Sequence, residues 1–230
     1  DAGIPMSPGS RMLAASIGKT FVSATVLALV QDGELELDAP VATWLAEKPW
    51  FDRLPNHEQM NLRHLLNHTS GLPNHVESEA FARAFAARWP DVERPFTPEE
   101  LVRFVLDRPA LFGAGEDWSY SDTGYLLIGM IIEAVTGHPC EKEIARRFLD
   151  SLDLSSTAPS NRLRFENLAT GYTDTGNAFG LAPRTTVLPG IMAWHPGVEG
   201  AGGGLISTPR DLVIWAKALY ESEALAGDYL

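Results

Sequence analysis

The chain has 230 residues, 45% hydrophobic and 21% charged, a balance that builds a buried core and excludes a disordered or collagen-like chain. Acidic residues outnumber basic ones by 30 to 18, and no Lys/Arg-rich run interrupts that excess, so a nucleic-acid partner is not expected. Cys140 is the sole cysteine, which excludes an internal disulfide, a CxxC redox pair and a multi-thiolate zinc site.

At about 150 residues per domain the length suits one large domain or two small ones. Residues 1–15 show no basic, apolar and small-residue succession of a signal peptide, and a trimmed chain would look the same. After Ser16 the apolar positions Ile17, Phe21, Val22, Val26, Leu27 and Val30 follow helical spacing, and Asp32-Gly33 supplies the stop, which predicts a helix from Ser16 to Gln31. Its uncharged run, Thr20 to Val30, is shorter than the roughly 20 residues of a membrane-spanning helix, so no span is expected.

Pro40, Pro49 and Pro55 break up residues 34–61, and a short helix is expected over Asn61 to Asn67, ended by Thr69-Ser70-Gly71. Ser78 to Trp89 has helical spacing, and Thr97-Pro98-Glu99-Glu100 is in capping-box order. Asp122 is expected to cap a strongly apolar helix that Gly137 terminates, followed by a helix from Pro139 to Phe148. From Ser155 to Ser207 short β-prone runs such as Arg184 to Leu188 alternate with turn residues. Thr208-Pro209-Arg210-Asp211 opens a final helix.

Ser16-Ile17-Gly18-Lys19 places a hydroxyl at a helix start and an amine three residues on, so both project from nearly one face. A serine is a weak nucleophile until something removes its proton. An amine enclosed by apolar neighbours near a positive helix end is disfavoured as a cation and suits that task. The free N–H groups of the same helix end can receive an oxyanion. An N-cap serine followed by a solvated lysine would produce the same letters. Tyr120-Ser121-Asp122 follows a glycine-containing loop, Phe112 to Glu116, and a phenol there can relay a proton. A packed tyrosine beside a capping aspartate is the plainer alternative.

Taken together these segments closely resemble the serine β-lactamase and penicillin-binding protein superfamily, in particular its class C β-lactamase, DD-peptidase and esterase branch. Met12 to Thr20 is similar to that branch's Ser-x-x-Lys helix. Leu62-Arg63-His64-Leu65-Leu66-Asn67-His68-Thr69-Ser70-Gly71-Leu72-Pro73 is similar to its hallmark stretch, Tyr120-Ser121-Asp122 to its Tyr-x-Asn motif, and Gly202 to Thr208 to its glycine-rich segment.

The resemblance implies an α/β (α+β) fold of the β-lactamase/DD-peptidase type. Residues 1–33 would hold the nucleophile helix of the α/β domain, 34–165 the helical domain, and 166–230 the return to the α/β domain. It implies acyl transfer to Ser16 from an amide, β-lactam or ester carbonyl, as in a β-lactamase or D-alanyl-D-alanine carboxypeptidase. Lys19 would be base or proton relay, Tyr120 general acid/base, and the Ser16 N–H an oxyanion donor. Asp122 and Trp118 would contact a small-molecule or peptide substrate, with no metal or organic cofactor. A carboxylesterase, or a non-catalytic penicillin-recognising module, are the other readings.

Asp122 stands where the family has asparagine. An aspartate cannot donate an amide hydrogen bond, and when ionised it favours a cationic lysine, which shifts work to Tyr120. The Lys-Thr-Gly or His-x-Gly motif is expected beyond residue 220. His195-Pro196-Gly197 precedes Gly202 and reads as a loop. Most central strands are expected to be missing, leaving Phe21 and Val26 open to water and residues 1–230 poorly stable on their own. The resemblance implies export to the periplasm or beyond, while the residues leave the cytoplasm open and do not specify an oligomeric state.

Among other candidates, His64 and His68 lack the glutamate of HExxH, and Gly200 to Gly204 lacks the rest of a phosphate loop. The six tryptophans are expected mainly in the core, and Cys140 is read as an inert thiol.

Overall fold

The computed structural model describes residues 5–88, 93–174, 176 and 182–226; Trp89, the expected end of one helix, lies outside them. A short strand β1 (Met12–Leu13) leads through a 3-10 turn (Ala15–Ile17) into α1 (Gly18–Gln31). Six helices follow: α2 (Ala42–Leu45), α3 (Leu62–Leu66), α4 (Glu79–Arg88), α5 (Pro98–Val102), α6 (Asp122–Thr136) and α7 (Cys140–Ile144), the last continuing as a π turn (Ala145–Leu149). Strands β2 (Ala158–Pro159), β3 (Thr186–Leu188), β4 (Ile191–Met192) and β5 (Leu205–Ser207) precede the closing helix α8 (Pro209–Tyr220).

The helix starts show why these residues form these elements. Thr97 Oγ1 accepts from the Glu100 N–H at 3.2 Å while the Glu100 carboxylate accepts from the Thr97 N–H at 2.9 Å, completing the expected capping box. Thr208 caps α8 in the same manner through the Asp211 N–H. Gly137 ends α6 in the left-handed conformation, φ 71°. The expected cap of α6 is corrected: Ser121, not Asp122, accepts from the Gly124 N–H. Asp122 is thereby the first helical residue, and its carboxylate is available to another element.

The strands make two small antiparallel sheets, one in the order β1-β5-β2 and the other pairing β3 with β4. Met12 pairs with Ser207 and Leu13 with Ile206, which ties the segment before Ser16 directly to the strand after the glycine-rich turn. Beneath the larger sheet lies a small cluster of Phe165, Leu168, Met192 and Ile206.

The main core surrounds α1 and α6. Phe21 and Val26, expected to face water, are both 0% exposed. Helices α6 and α7 pack on α1, and α8 covers it as well: Trp215 stacks on Phe21 with ring centroids 4.0 Å apart and donates its indole N–H to Thr20 Oγ1 at 2.8 Å. Burying one such aromatic side chain contributes about 1.5–3 kcal/mol. Among the described residues no helix is long and apolar enough to cross a membrane.

Candidate active site

Ser16 lies in the 3-10 turn ahead of α1 and is exposed, with no side-chain cap occupying its hydroxyl. The preceding Ala15 has φ 47°, a left-handed conformation that costs a non-glycine residue on the order of 1 kcal/mol. What holds it is the close packing of the glycine-rich segment. A Cβ on Gly203 would come within 2.6 Å of the Ala15 carbonyl oxygen, and one on Gly18 within 2.7 Å of the Gly203 carbonyl oxygen. Glycine at both positions lets the two backbones meet beside Ser16.

The Ser16 and Tyr120 hydroxyls are 2.6 Å apart. Lys19, one helical turn from Ser16 and 5% exposed, has three acceptors for its three N–H groups: Asp122 Oδ1 at 2.5 Å, the Gly202 carbonyl, and Ser16 Oγ at 3.5 Å. Its Nζ also stands 4.8 Å and 5.2 Å from the ring centroids of Tyr120 and Tyr125, within the range of cation–π attraction. This is the coordination of an ammonium rather than of a free amine, which would need a donor for its lone pair. The aspartate that replaces the family's asparagine is the counter-ion.

Tyr120 is delivered by the stretch 62–73. The Ser119 N–H donates to the His68 carbonyl at 3.0 Å, Gly115 to Thr69 at 2.8 Å, and Leu111 to Gly71 at 2.9 Å. The Ser121 N–H donates to His68 Nδ1 at 3.2 Å, and the His68 ring packs 4.5 Å from that of Tyr120. Burial, and then the Lys19 charge, hold the His68 imidazole below its usual range, so it serves as a neutral platform. His64 completes the cap of α3 with Asn61, and His75 is buried against Thr123. His195 accepts from the Gly197 N–H, the loop-like role expected of it.

Two cavities open at the serine. One, of about 480 Å³, is lined by Lys19, Thr20, His68, Tyr120 and Leu219 among others; the second, of about 260 Å³, by His75, Phe81, Phe85, Asp122, Trp194 and Glu199 among others. Among the described residues Ser16 is the one that lines both. Trp118 lines neither; it is exposed and meets the edge of His68 at 6.1 Å. Ser16, Lys19, Tyr120 and Asp122 are thus brought together, and Trp118 stands one ring further out.

Glu199 was not among the sequence candidates. Its Oε2 is buried with no hydrogen-bond partner, and burial pushes its carboxyl up to about 7. Nothing local in Gly197-Val198-Glu199-Gly200 marks it, because its burial is created by distant elements. Cys140, read as inert, is buried, with its thiol pushed up to about 12.

A serine hydroxyl in contact with a tyrosine, backed by an ion-paired lysine one turn along the same helix, is an arrangement with the parts that serine acyl transfer uses. The chain belongs to the family described as Beta-lactamase, whose profile matches residues 1–229. Penicillin-binding protein 4* of Bacillus subtilis (strain 168) is 27% identical over 234 residues, 96% of this chain and 48% of its own length. Esterase EstB of Burkholderia gladioli is 35% identical over 144 residues, 60% of this chain and 36% of the esterase. The crystal structure of a D-stereospecific amidohydrolase from Streptomyces sp. superposes with TM-score 0.82 at 31% identity, over 94% of this chain and 62% of that one. The chain spans about half or less of the curated relatives it matches here. The fold is that of the β-lactamase and penicillin-binding protein superfamily.

Proposed function

We propose that the chain carries the acyl-transfer apparatus of a serine hydrolase acting on an amide, β-lactam or ester carbonyl. The observation that carries this reading is the 2.6 Å contact of the Ser16 and Tyr120 hydroxyls with Lys19 behind both. In the first half-reaction Ser16 Oγ attacks the carbonyl carbon as Tyr120, acting as general base beside the Lys19 charge, takes up its proton. The Ser16 backbone N–H offers one donor to the oxyanion. When the tetrahedral adduct collapses, Tyr120 returns the proton to the leaving nitrogen or oxygen. Water then repeats the sequence and releases the acid. Lys19 acts here by its charge, because Asp122 holds it as an ion pair.

The residue ranges 1–33, 34–165 and 166–230 are proposed as nucleophile helix, helical domain and return to the α/β domain. Kinship with penicillin-binding proteins supports action in the periplasm or outside the cell. The likeness to an esterase supports ester hydrolysis as the second reading.

The test is intact-protein mass spectrometry after exposure to a fluorophosphonate and, separately, a penicillin, with Ser16→Ala and Lys19→Ala alongside. One adduct, absent from both variants, is expected. A long-lived penicillin adduct points to a peptidase, a short-lived one to a β-lactamase, and phosphonate labelling alone to an esterase. No adduct on folded protein would overturn the reading in favour of a non-catalytic module.

A further inference from the structure

His68 holds the Tyr120 segment at three points. Its carbonyl accepts the Ser119 N–H at 3.0 Å, its Nδ1 accepts the Ser121 N–H at 3.2 Å, and between them its ring packs 4.5 Å from the ring of Tyr120. The residues before and after Tyr120 thus hang from one histidine. Its ring also packs 5.3 Å from that of Tyr125, whose hydroxyl donates to the Leu66 carbonyl at 3.1 Å and meets Ser23 Oγ at 2.8 Å. His68 itself has φ 63°, in the left-handed region that few residues other than glycine, asparagine, aspartate and histidine enter.

A backbone N–H can only donate, so His68 Nδ1 carries a lone pair and the hydrogen of the neutral ring sits on Nε2. A second proton has to enter at Nδ1. It turns the acceptor into a donor facing the Ser121 N–H, and it sets an imidazolium near the Lys19 ammonium. The charged groups around the ring are Lys19 from α1 and Asp122 from α6, beside the phenols of Tyr120 and Tyr125. Burial and then Lys19 lower the His68 value, and Asp122 opposes them. The ring is half-buried and lines the larger cavity at Ser16, which gives solvent protons a route to it.

We infer that His68 is the positioning residue for Tyr120 and that it works only as the neutral imidazole, so that a proton taken up at Nδ1 releases the Tyr120 segment and switches acylation of Ser16 off. The Ser121 N–H then loses its acceptor, and the Tyr120 hydroxyl loses the support that keeps it 2.6 Å from that of Ser16. A misplacement of about 1 Å costs on the order of a hundredfold in rate. The inference rests on the proposed proton transfer through Tyr120 and concerns its regulation: acid silences the site while Ser16, Lys19 and Tyr120 are all present.

The experiment follows fluorophosphonate labelling of the full chain between pH 8 and pH 4.5 by intact mass. Below the ordinary histidine value of about 6.5 the wild-type rate is expected to fall, approaching about tenfold per pH unit. His68→Asn suits a left-handed backbone and offers Oδ1 in place of Nδ1 but takes up no proton; it is expected to lose this acid limb. His68→Phe keeps a ring without the acceptor, and at pH 8 it is expected to label about tenfold or more slower than His68→Asn. Glu199→Gln removes the carboxyl that titrates at about 7 and is expected to keep the limb. A limb that survives His68→Asn, a limb abolished by Glu199→Gln, or His68→Phe labelling as fast as His68→Asn each overturns the inference. Heteronuclear NMR of isotopically labelled Ser16→Ala protein supplies a readout without chemistry. The neutral ring is expected as the Nε2–H tautomer, with the Ser121 amide resonance moving as the ring titrates. An Nδ1–H tautomer, or a Ser121 amide indifferent to that titration, overturns the inference. If Ser16 takes no label while the Ser121 amide follows the ring, the acyl-transfer reading falls and the proton-sensitive hold on Tyr120 stands.

Discussion

Asp122 Oδ1 lies 2.5 Å from Lys19 Nζ and 3.5 Å from the Tyr120 hydroxyl, so one carboxylate oxygen touches both groups that touch Ser16 Oγ. The Lys19 and Asp122 side chains are 7% and 23% exposed. Removing one member of such a pair strands a charge with little water to solvate it. Asp122→Ala is expected to lower unfolding free energy by about 3 kcal/mol, read as a lower urea midpoint. Asp122→Asn keeps an acceptor oxygen and should cost about 1 kcal/mol. Adding Lys19→Met to Asp122→Ala should recover part of the loss, and an unchanged midpoint in all three would show that the pair is not closed in solution.

Tyr120→Phe removes the hydroxyl beside Ser16 and keeps the ring against His68. Acylation by a nitrophenyl ester is expected to slow by about 10²- to 10⁴-fold, with unfolding free energy changed by about 1 kcal/mol or less. A full-rate variant would reassign the proton transfer to Lys19.

Gly203→Ala tests the close approach that shapes the Ser16 turn. Its methyl would press on the Ala15 carbonyl oxygen at 2.6 Å and on Glu199 Oε2 at 3.1 Å. The turn has to move, at a cost of about 1–3 kcal/mol, and acylation should fall with it. Wild-type acylation and stability together would show that Ser16 does not depend on this contact.

Two buried groups, Glu199 and His75, contribute opposite slopes to the pH dependence of stability. Folded Glu199 keeps its proton up to about 7, whereas the unfolded chain loses it near 4.5, so folding weakens as pH rises between those values. Folded His75 stays neutral down to about 4, whereas the unfolded chain protonates near 6.5, so folding weakens as pH falls through that window. Each effect is on the order of 3 kcal/mol, and from about pH 4.5 to 6.5 they offset. Glu100, held down to about 2 chiefly by its hydrogen bond to Arg88, adds stability above the ordinary glutamate value that is lost only at lower pH. Glu199→Gln is therefore expected to melt higher than wild type at pH 8, by on the order of 5–10 °C. It should also lose stability more steeply than wild type from pH 6.5 to 4.5, because the lowered histidines His64, His68, His75 and His195 are then no longer opposed by Glu199. Parallel melting profiles for the two proteins would contradict this.

What could be read in the letters was local or carried by contiguous motifs. Thr97 and Thr208 cap their helices because a hydroxyl three residues before an N–H reaches it whatever the tertiary fold. Ser16 and Lys19 share a face because helix geometry puts them there. Where two adjacent residues could both cap, as at Ser121 and Asp122, the choice was made by a distant lysine that claimed the aspartate. The burial of Phe21 was not legible, because its cover, Trp215, is 194 positions away along the chain. Glu199 stayed hidden for the same reason: a glutamate in a glycine-rich turn reads as solvent-facing until the turn is folded against α1 and α6.

Because, among the described residues, Ser16 alone belongs to both cavities, the proposed nucleophile stands as a partition between two rooms. In the proposed acyl transfer the two sides of the scissile bond would then be held in separate rooms. Changes to Phe81 should then alter acceptance on one side of the scissile bond and leave the other untouched, and changes to Leu219 should do the reverse. Selectivity in this architecture is separable into two independent choices, open to alteration one at a time.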